Sequence, residues 1–333
     1  MIIYILTFII IIILIFTNAI TDAPNAIATL VGTKVMPFKK AAYLSAIFNF
    51  IGIVVMSFIN ISVANCISSM VDLRDEKQGM IVLLSGMIAV IVFALAAMKF
   101  GIPTSETHGL IAGLTGAAVA IYGWKSVSLY EWGNVLIGLI WSIFGTLIVG
   151  FLITKLIERI IILTQNDNIK QWQIISCCGM SFMHGAQDGQ KFIGILIIFF
   201  SLIQNTSIPA IINPLNYVGI ILYTAFIMAM GVAIGGKKIV DNIGSEMVEL
   251  NNKQALMSDI TTIITLFIAS MTGIPVSTTH AKTMSIIAIG KNVNSKMDKT
   301  RIFSICKAWF WNFPVSGGIG YILAWLIINF ISL

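Results

Sequence analysis

Gly101, Ile102, Pro103, Thr104, Ser105, Glu106, Thr107, His108 returns later in the chain as Gly273, Ile274, Pro275, Val276, Ser277, Thr278, Thr279, His280, identical at six of the eight positions. A second, weaker echo lies upstream of each copy. There Asn18, Asp22 and Asn25 of the first half are answered by His184, Asp188 and Lys191 of the second, with the order of the two motifs kept. Self-similarity on this scale in an apolar chain, with hydroxyl and ionisable residues gathered in the repeated motifs, is the sequence form of a transporter whose polar site lies between two repeats.

Composition points the same way. Of the 333 residues 58% are hydrophobic and only 10% charged, and the mean hydropathy is +0.96. Soluble domains carry roughly 25% charged residues. Apolar runs near 2–16, 41–61, 81–98, 109–121, 133–154, 192–203, 215–235, 260–290 and 302–333 reach the roughly 20 residues of a membrane helix, or do so when joined across a motif. The alternating strands of a membrane barrel are absent from the pattern. The expected fold is therefore an all-α polytopic membrane protein of about 10–12 membrane segments, with broken helices and re-entrant half-helices. Residues 1–154 and 172–333 form its two repeats, and 155–171 a polar connector.

Charge sorts the loops. With roughly five crossings in each half and both termini outside, the loops at 34–40, 155–171, 237–256 and 291–301 face the cytoplasm. They hold 13 of the 20 Lys and Arg residues, against three at 62–79 and 122–132 and none at 204–214. This positive-inside bias accounts for the net charge of +6 through the anionic inner leaflet, without nucleic acid. An odd number of crossings per half makes the repeats inverted, which supplies two related conformations around one central site. The first apolar stretch has no basic start or cleavage site and reads as a retained helix. Cys66, Cys177, Cys178 and Cys306 lack metal-ligand spacing and read as small core residues. No resident metal or cofactor is expected.

Within the apolar runs the carboxylates read as Asp22, Glu106 and Asp188, and the three histidines of the chain are His108, His184 and His280. A charge at mid-membrane costs at least about 2.5 kcal/mol on the insertion scale, so this clustering marks a site. In the first octapeptide Pro103 suits a helix start, Thr104 and Ser105 are capping types, and the apolar run resumes at Leu110. The pattern predicts a half-helix that begins inside the membrane and turns free N–H groups, hydroxyls and a positive dipole end toward one spot. Ser277, Thr278 and Thr279 supply a second such end, so the pair can clamp a tetrahedral oxyanion. Gly109, Gly113 and Ala117 follow small-xxx-small spacing, which permits close helix approach. The segments around Asp22 and Asp188 are each too long for one straight span. A break at each acid would leave carbonyls beside the carboxylate, hard ligands of the kind Na⁺ takes, with Asn18, Thr21 and Asn25 completing the shell. In the second half Gln187 offers an amide to cation or anion. Lys191 contacts the anion, replaces a cation, or snorkels to the interface.

At these residues the chain resembles the inorganic phosphate transporter (PiT) family, whose halves each carry an Asn-Asp signature and a Pro-x-Ser-x-Thr-His signature. The resemblance spans essentially the whole chain. It departs from the family pattern at Thr21 and Gln187, where Asn is usual, while the second signature with Lys191 is similar to that of many bacterial members. The resemblance implies uptake of inorganic phosphate by H⁺ or Na⁺ symport, with Ser105, Thr107, Ser277 and Thr279 near the anion. It places Asp22, Asn25 and Asp188 near the coupling cation. Family members that carry metal phosphate, and relatives that take sulfate, keep those cargoes open. Lys191, together with the titratable Glu106, His108, His184 and His280, favours H⁺. A bacterial plasma membrane is the expected location, lipid the expected surroundings, and a homodimer is compatible with the pattern. A passive channel fits the occluding repeats poorly. An intramembrane enzyme lacks support, because no His-Glu-x-x-His element, nucleophile elbow or nucleotide-binding loop is present.

Overall fold

The computed structural model describes residues 2–73, 75–100, 102–164, 168–241 and 247–330. Gly101 of the first octapeptide and residues 165–167 of the expected connector lie outside them. The first half comprises α1 (Ile2–Thr21), α2 (Pro24–Gly32), α3 (Phe38–Ile59), a short α4 (Ser62–Ser68), α5 (Glu76–Phe100), α6 (Glu106–Tyr122), and α7 (Leu129–Ile140). The last runs through a π-turn at Trp141–Gly145 into α8 (Thr146–Thr164). The second half comprises α9 (Ile169–Ile203), α10 (Val218–Ile234), a short α11 (Lys237–Asp241), α12 (Asn252–Thr272), α13 (Thr278–Asn292) and α14 (Lys299–Phe330). The kinds of element recur in one order: a long span, a second, a short turn of helix, a third span, a half-helix and a last span. Among the described residues, eight spans are long and apolar enough to cross a membrane. The half-helices α6 and α13, of 17 and 15 residues, fall short of the roughly 20 that crossing takes. Large apolar side chains such as Ile5, Ile9, Phe144, Ile148, Phe226 and Phe310 remain exposed, the surface that lipid covers.

Packing crosses between the halves. The half-helix α6 packs against α5 of its own half and against α14 of the other, while α13 packs against α12 and against α8. Likewise α9 lies on α3 and α4, and α1 and α2 lie on α10 and α11. The small-residue stripe on α6 is what lets α14 in. A Cβ added at Gly116 would stand 2.0 Å from the Gly317 carbonyl oxygen, and one at Gly320 would stand 2.3 Å from that of Gly113. Lipid is as apolar as the helices, so association in the membrane relies on such close van der Waals fit and on interhelical hydrogen bonds.

The loops gather at two ends, in the sets that the charge pattern separates. At one end Val71 bridges to Val127, and the Ile212 N–H donates to Asn65 Oδ1 at 2.8 Å. At the other end Val248 bridges to Met297, and Thr33, Ile169 and Leu250 to Lys253 line one pocket.

Two expectations are corrected. The chain breaks at Asp22 but not at Asp188, because α9 runs 35 residues straight through it. Pro24 explains the difference, since it has no N–H to give the preceding turn and its ring clashes there. The corresponding position of the second motif is Gln190, which keeps its N–H. The connector is also shorter than expected, because residues 155–164 complete α8 and 169–171 begin α9.

Gly116→Val is expected to lower the thermal midpoint of the purified protein, by overpacking that costs about 3 kcal/mol. Gly133→Ala, where an added Cβ meets nothing within 4 Å, should leave the midpoint at or above the wild-type value. Thermal denaturation of both variants in detergent checks this.

Candidate functional site

The two half-helices start as their sequences dictate. Ser105 caps α6, its hydroxyl accepting from the His108 N–H at 3.3 Å, and Ser277 caps α13 by accepting from the His280 N–H at 3.2 Å. A serine used in this way satisfies one of the first-turn donors and leaves its own proton free to donate. The N–H groups before the capped one have no partner within the helix. The two starts meet: Thr107 Oγ1 donates to the Val276 carbonyl at 3.4 Å.

Around this junction the acidic motifs form two matching clasps. Asn18 Nδ2 donates to Asp22 Oδ2 at 3.3 Å and Asn25 Nδ2 to Oδ1 at 3.0 Å, while Asn25 also donates to Thr279 Oγ1 at 2.8 Å. The Thr279 hydroxyl bonds Asp22 as well. In the second half His184 Nε2 faces Asp188 Oδ2 at 3.2 Å and Lys191 pairs with Oδ1. Lys191 also bonds Thr107 and, at 3.1 Å, the Val276 carbonyl. The clasps are built to one plan. In each, the residue four before the aspartate holds one carboxylate oxygen, and the residue three after it holds the other while reaching the threonine of the opposite half. Asn18 and Asn25 do with amides what His184 and Lys191 do with a ring nitrogen and an ammonium. Asn49 Nδ2 donates to His184 Nδ1 at 2.7 Å, an orientation that assigns the ring proton to Nε2, toward Asp188.

Other candidates are placed less uniformly. Thr21 donates to Glu106 Oε1, and Thr278 to Asp188 Oδ2 at 3.4 Å. Gln187 turns aside to Ser270 Oγ at 3.0 Å, and Thr104 lies buried next to the cap. His108 and His280 leave the polar cluster altogether. Their rings stand 4.9 Å apart, His108 against Phe313 and His280 against Trp309, and none of the ring nitrogens has a hydrogen-bond partner among the described residues. No described site residue is more than 6% exposed, so the site is closed toward both membrane ends.

Buried acceptors remain open around Asp22. Asn18 Oδ1, Asn25 Oδ1 and Glu106 Oε2 lack donors among the described residues. On the Asp188 side the ammonium of Lys191 fills the corresponding place.

The structure also corrects the roster of membrane carboxylates, to which it adds Asp259. Asp259 on α12 is fully buried and pairs with Lys282 of α13, also fully buried. The signal was legible: Asn251 and Gln254 form a capping box that starts α12, which puts Asp259 two turns into a span rather than in a loop. Asn312, which donates to the Ser105 carbonyl, and Asn49 are further supports that lie outside both motifs.

Lys191→Met is expected to destabilise the protein by about 3–5 kcal/mol, because it leaves the buried Asp188 without its cation. Adding Asp188→Asn should recover most of that loss. The cycle is read from thermal midpoints in detergent, and equal losses in the single and double variants would refute the pairing.

Comparison with known proteins places the chain. The model of the Phosphate transporter family matches it twice, over residues 18–172 and 164–320. A protein of Bacillus subtilis (strain 168) named as a probable low-affinity inorganic phosphate transporter is 29% identical over 325 residues, 95% of this chain and 94% of that protein. One of the same name from Rhizobium meliloti (strain 1021) is 30% identical over 299 residues, 83% of this chain and 81% of its own. Among solved structures, one described as the sodium-dependent phosphate transporter superposes with a TM-score of 0.85 over 99% of this chain and 100% of that one, at 19% identity, a likeness of fold. With clasps, half-helices and a matched model over nearly its full length, the chain belongs to the Phosphate transporter family.

Proposed function

We propose that this protein imports inorganic phosphate across the plasma membrane by cation symport, through alternating access of two inverted repeats, 1–154 and 172–333, about the clasped site. The observation that carries the reading is the meeting of two capped half-helix starts between two clasped carboxylates, in a site closed toward both ends. Helix starts favour anions through their free N–H groups and dipole. Ser105 and Ser277 add free hydroxyl donors, and Thr107, Thr278 and Thr279 add hydroxyls that would turn to the anion from the Val276 carbonyl and the two aspartates, with Thr104 and Gln187 at the margin. The positive-inside bias of the basic loops supports a topology with the 34–40 and 237–256 end in the cytoplasm and both termini outside.

Charge makes the coupling obligatory. Asp22, Glu106 and Asp188 stand around a single ammonium, that of Lys191, so with the carboxylates ionised the cluster is already negative. An anion enters such a place only together with positive charge. The open oxygens of Asn18, Asn25 and Glu106 beside Asp22 offer Na⁺ hard ligands, and a proton on Glu106 or Asp22 would supply the same charge. Phosphate is favoured over sulfate by Glu106 Oε2, an acceptor without a partner among the described residues and suited to a phosphate hydroxyl, which sulfate lacks at neutral pH.

Uptake of labelled phosphate into proteoliposomes is expected under an imposed cation gradient and not without one. Imposing Na⁺ and pH gradients separately assigns the coupling ion, and accumulation of sulfate in preference to phosphate would overturn the substrate. Ser105→Ala and Ser277→Ala should each raise the KM for phosphate about tenfold, the value of a hydrogen bond to a charged group. An unchanged KM in both would remove the helix-start clamp.

A further inference from the structure

The register of the octapeptides, 101–108 on 273–280, sets Lys282 opposite Leu110 and Asp259 opposite Met87. The register of the acidic motifs, Asp22 on Asp188, sets Thr29 opposite Ile195 and Ser176 opposite Ile10. The positions correspond and the chemistry does not. Met87 and Leu110 of the first half and Ile195 of the second belong to one buried apolar cluster, with Ile10 of the first half packed against it. Their counterparts form a buried polar knot that ties together four helices. Lys282 of α13 pairs with Asp259 of α12 and donates to Thr29 Oγ1 of α2 at 3.2 Å. Thr29 donates to Asp259 Oδ1 at 2.7 Å, and Ser176 of α9 to Oδ2 at 2.9 Å.

The knot lies on a line between the central site and one membrane end. Thr29 is one helical turn beyond Asn25 on α2, and Lys282 one turn beyond Thr278 on α13, on the same faces. Farther out, Gln173 Nε2 donates to the Thr29 carbonyl at 3.2 Å and to Thr33 Oγ1 at 2.7 Å. Thr33 in turn lines a pocket of about 410 Å³ with Asn251, Asn252 and Lys253. Polar groups thus continue from the clasp to the end that carries the basic loops, whereas the corresponding route on the other side is closed by aliphatic side chains.

A buried ion pair is weak support for stability, and an apolar pair of similar volume often serves as well. This chain contains that apolar alternative in its own first half, as Leu110 and Met87. A buried ammonium one turn from an oxyanion site is, however, a partner that an anion leaving the site meets next. We propose that Lys282 is a second anion station, on the route by which phosphate passes between the central site and the basic end, with Asp259 as its resident counter-anion, displaced when phosphate arrives. The inference rests on the transport reading above.

The test uses Lys282→Leu with Asp259→Met, the pair that the first half already packs, and Lys282→Gln with Asp259→Asn as a second neutral pair should the first fail to fold. Purified full-length protein is assayed for equilibrium binding of inorganic phosphate and, in proteoliposomes, for phosphate exchange. The neutral pairs are expected to bind phosphate as the wild type does and to exchange it at least about tenfold more slowly, while Lys282→Arg keeps most of the exchange. Wild-type exchange rates in a folded neutral pair would overturn the station. Loss of equilibrium binding in both neutral pairs would also overturn it, by making Lys282 part of the central site. Absence of phosphate exchange in the wild type would instead strike the transport reading itself.

Discussion

Two side chains hold the halves in register: Asn25 and Lys191, each gripping the aspartate three residues before it and, with the same nitrogen, the threonine of the opposite half-helix. Each bond joins an acidic motif of one half to a hydroxyl motif of the other, so neither half can assemble a site alone. In a membrane the hydrophobic effect does not choose between helix pairings. Close glycine contacts let α6, α14, α3 and α9 approach, and the clasps decide at which height they stop. The meeting of the two helix starts, and with it any recognition of an anion, follows from that alignment.

The same plan executed with different atoms makes the site electrically lopsided. Asn25 brings a neutral amide whose oxygen is left over, and Lys191 brings a fixed positive charge with nothing left over. Among the described residues the Asp22 side therefore keeps open amide oxygens, while the Asp188 side holds an ammonium of its own. A similar division runs along the membrane normal, with hydroxyls, an amide and an ion pair beyond the clasp on one side and aliphatic packing on the other. The two halves share a plan of motifs, and residue differences at matching positions give each its own chemistry.

The half-helices were legible in the sequence because their causes are local: Ser105 and Ser277 each cap a start by accepting from the N–H three residues on, while Pro103 and Pro275 stand two residues before the cap, outside the helix. The pairing of Asp22 with Asp188 was legible for the same reason. What failed were readings that treated corresponding motifs as equivalent. The acidic motif alone does not break a helix, and without a counterpart to Pro24 the second copy continues unbroken. The histidines of the octapeptides were read as polar because of their type, yet the helix turn that places Thr107 and Thr279 in the cluster rotates His108 and His280 onto Phe313 and Trp309. Asp259 and Lys282 escaped because each stands outside a motif, one at the margin of an apolar run and one inside it. Their meeting depends on how α12 packs on α13, which no local pattern states.

The unbroken α9 has a mechanical meaning that its broken counterpart lacks. At 35 residues and 1.5 Å per residue it measures about 52 Å, more than the roughly 40–45 Å of a bilayer with its headgroups, so it links both membrane ends as one rigid lever. Asp188 sits near the middle of that lever. A rod that rocks about its middle swings its ends in opposite directions and leaves the centre almost still. Under the alternating access proposed above, the carboxylate and its lysine would keep hold of the opposite half-helix while one mouth narrows and the other widens, with the second acidic motif as fulcrum and the bend at Pro24 as the joint that yields.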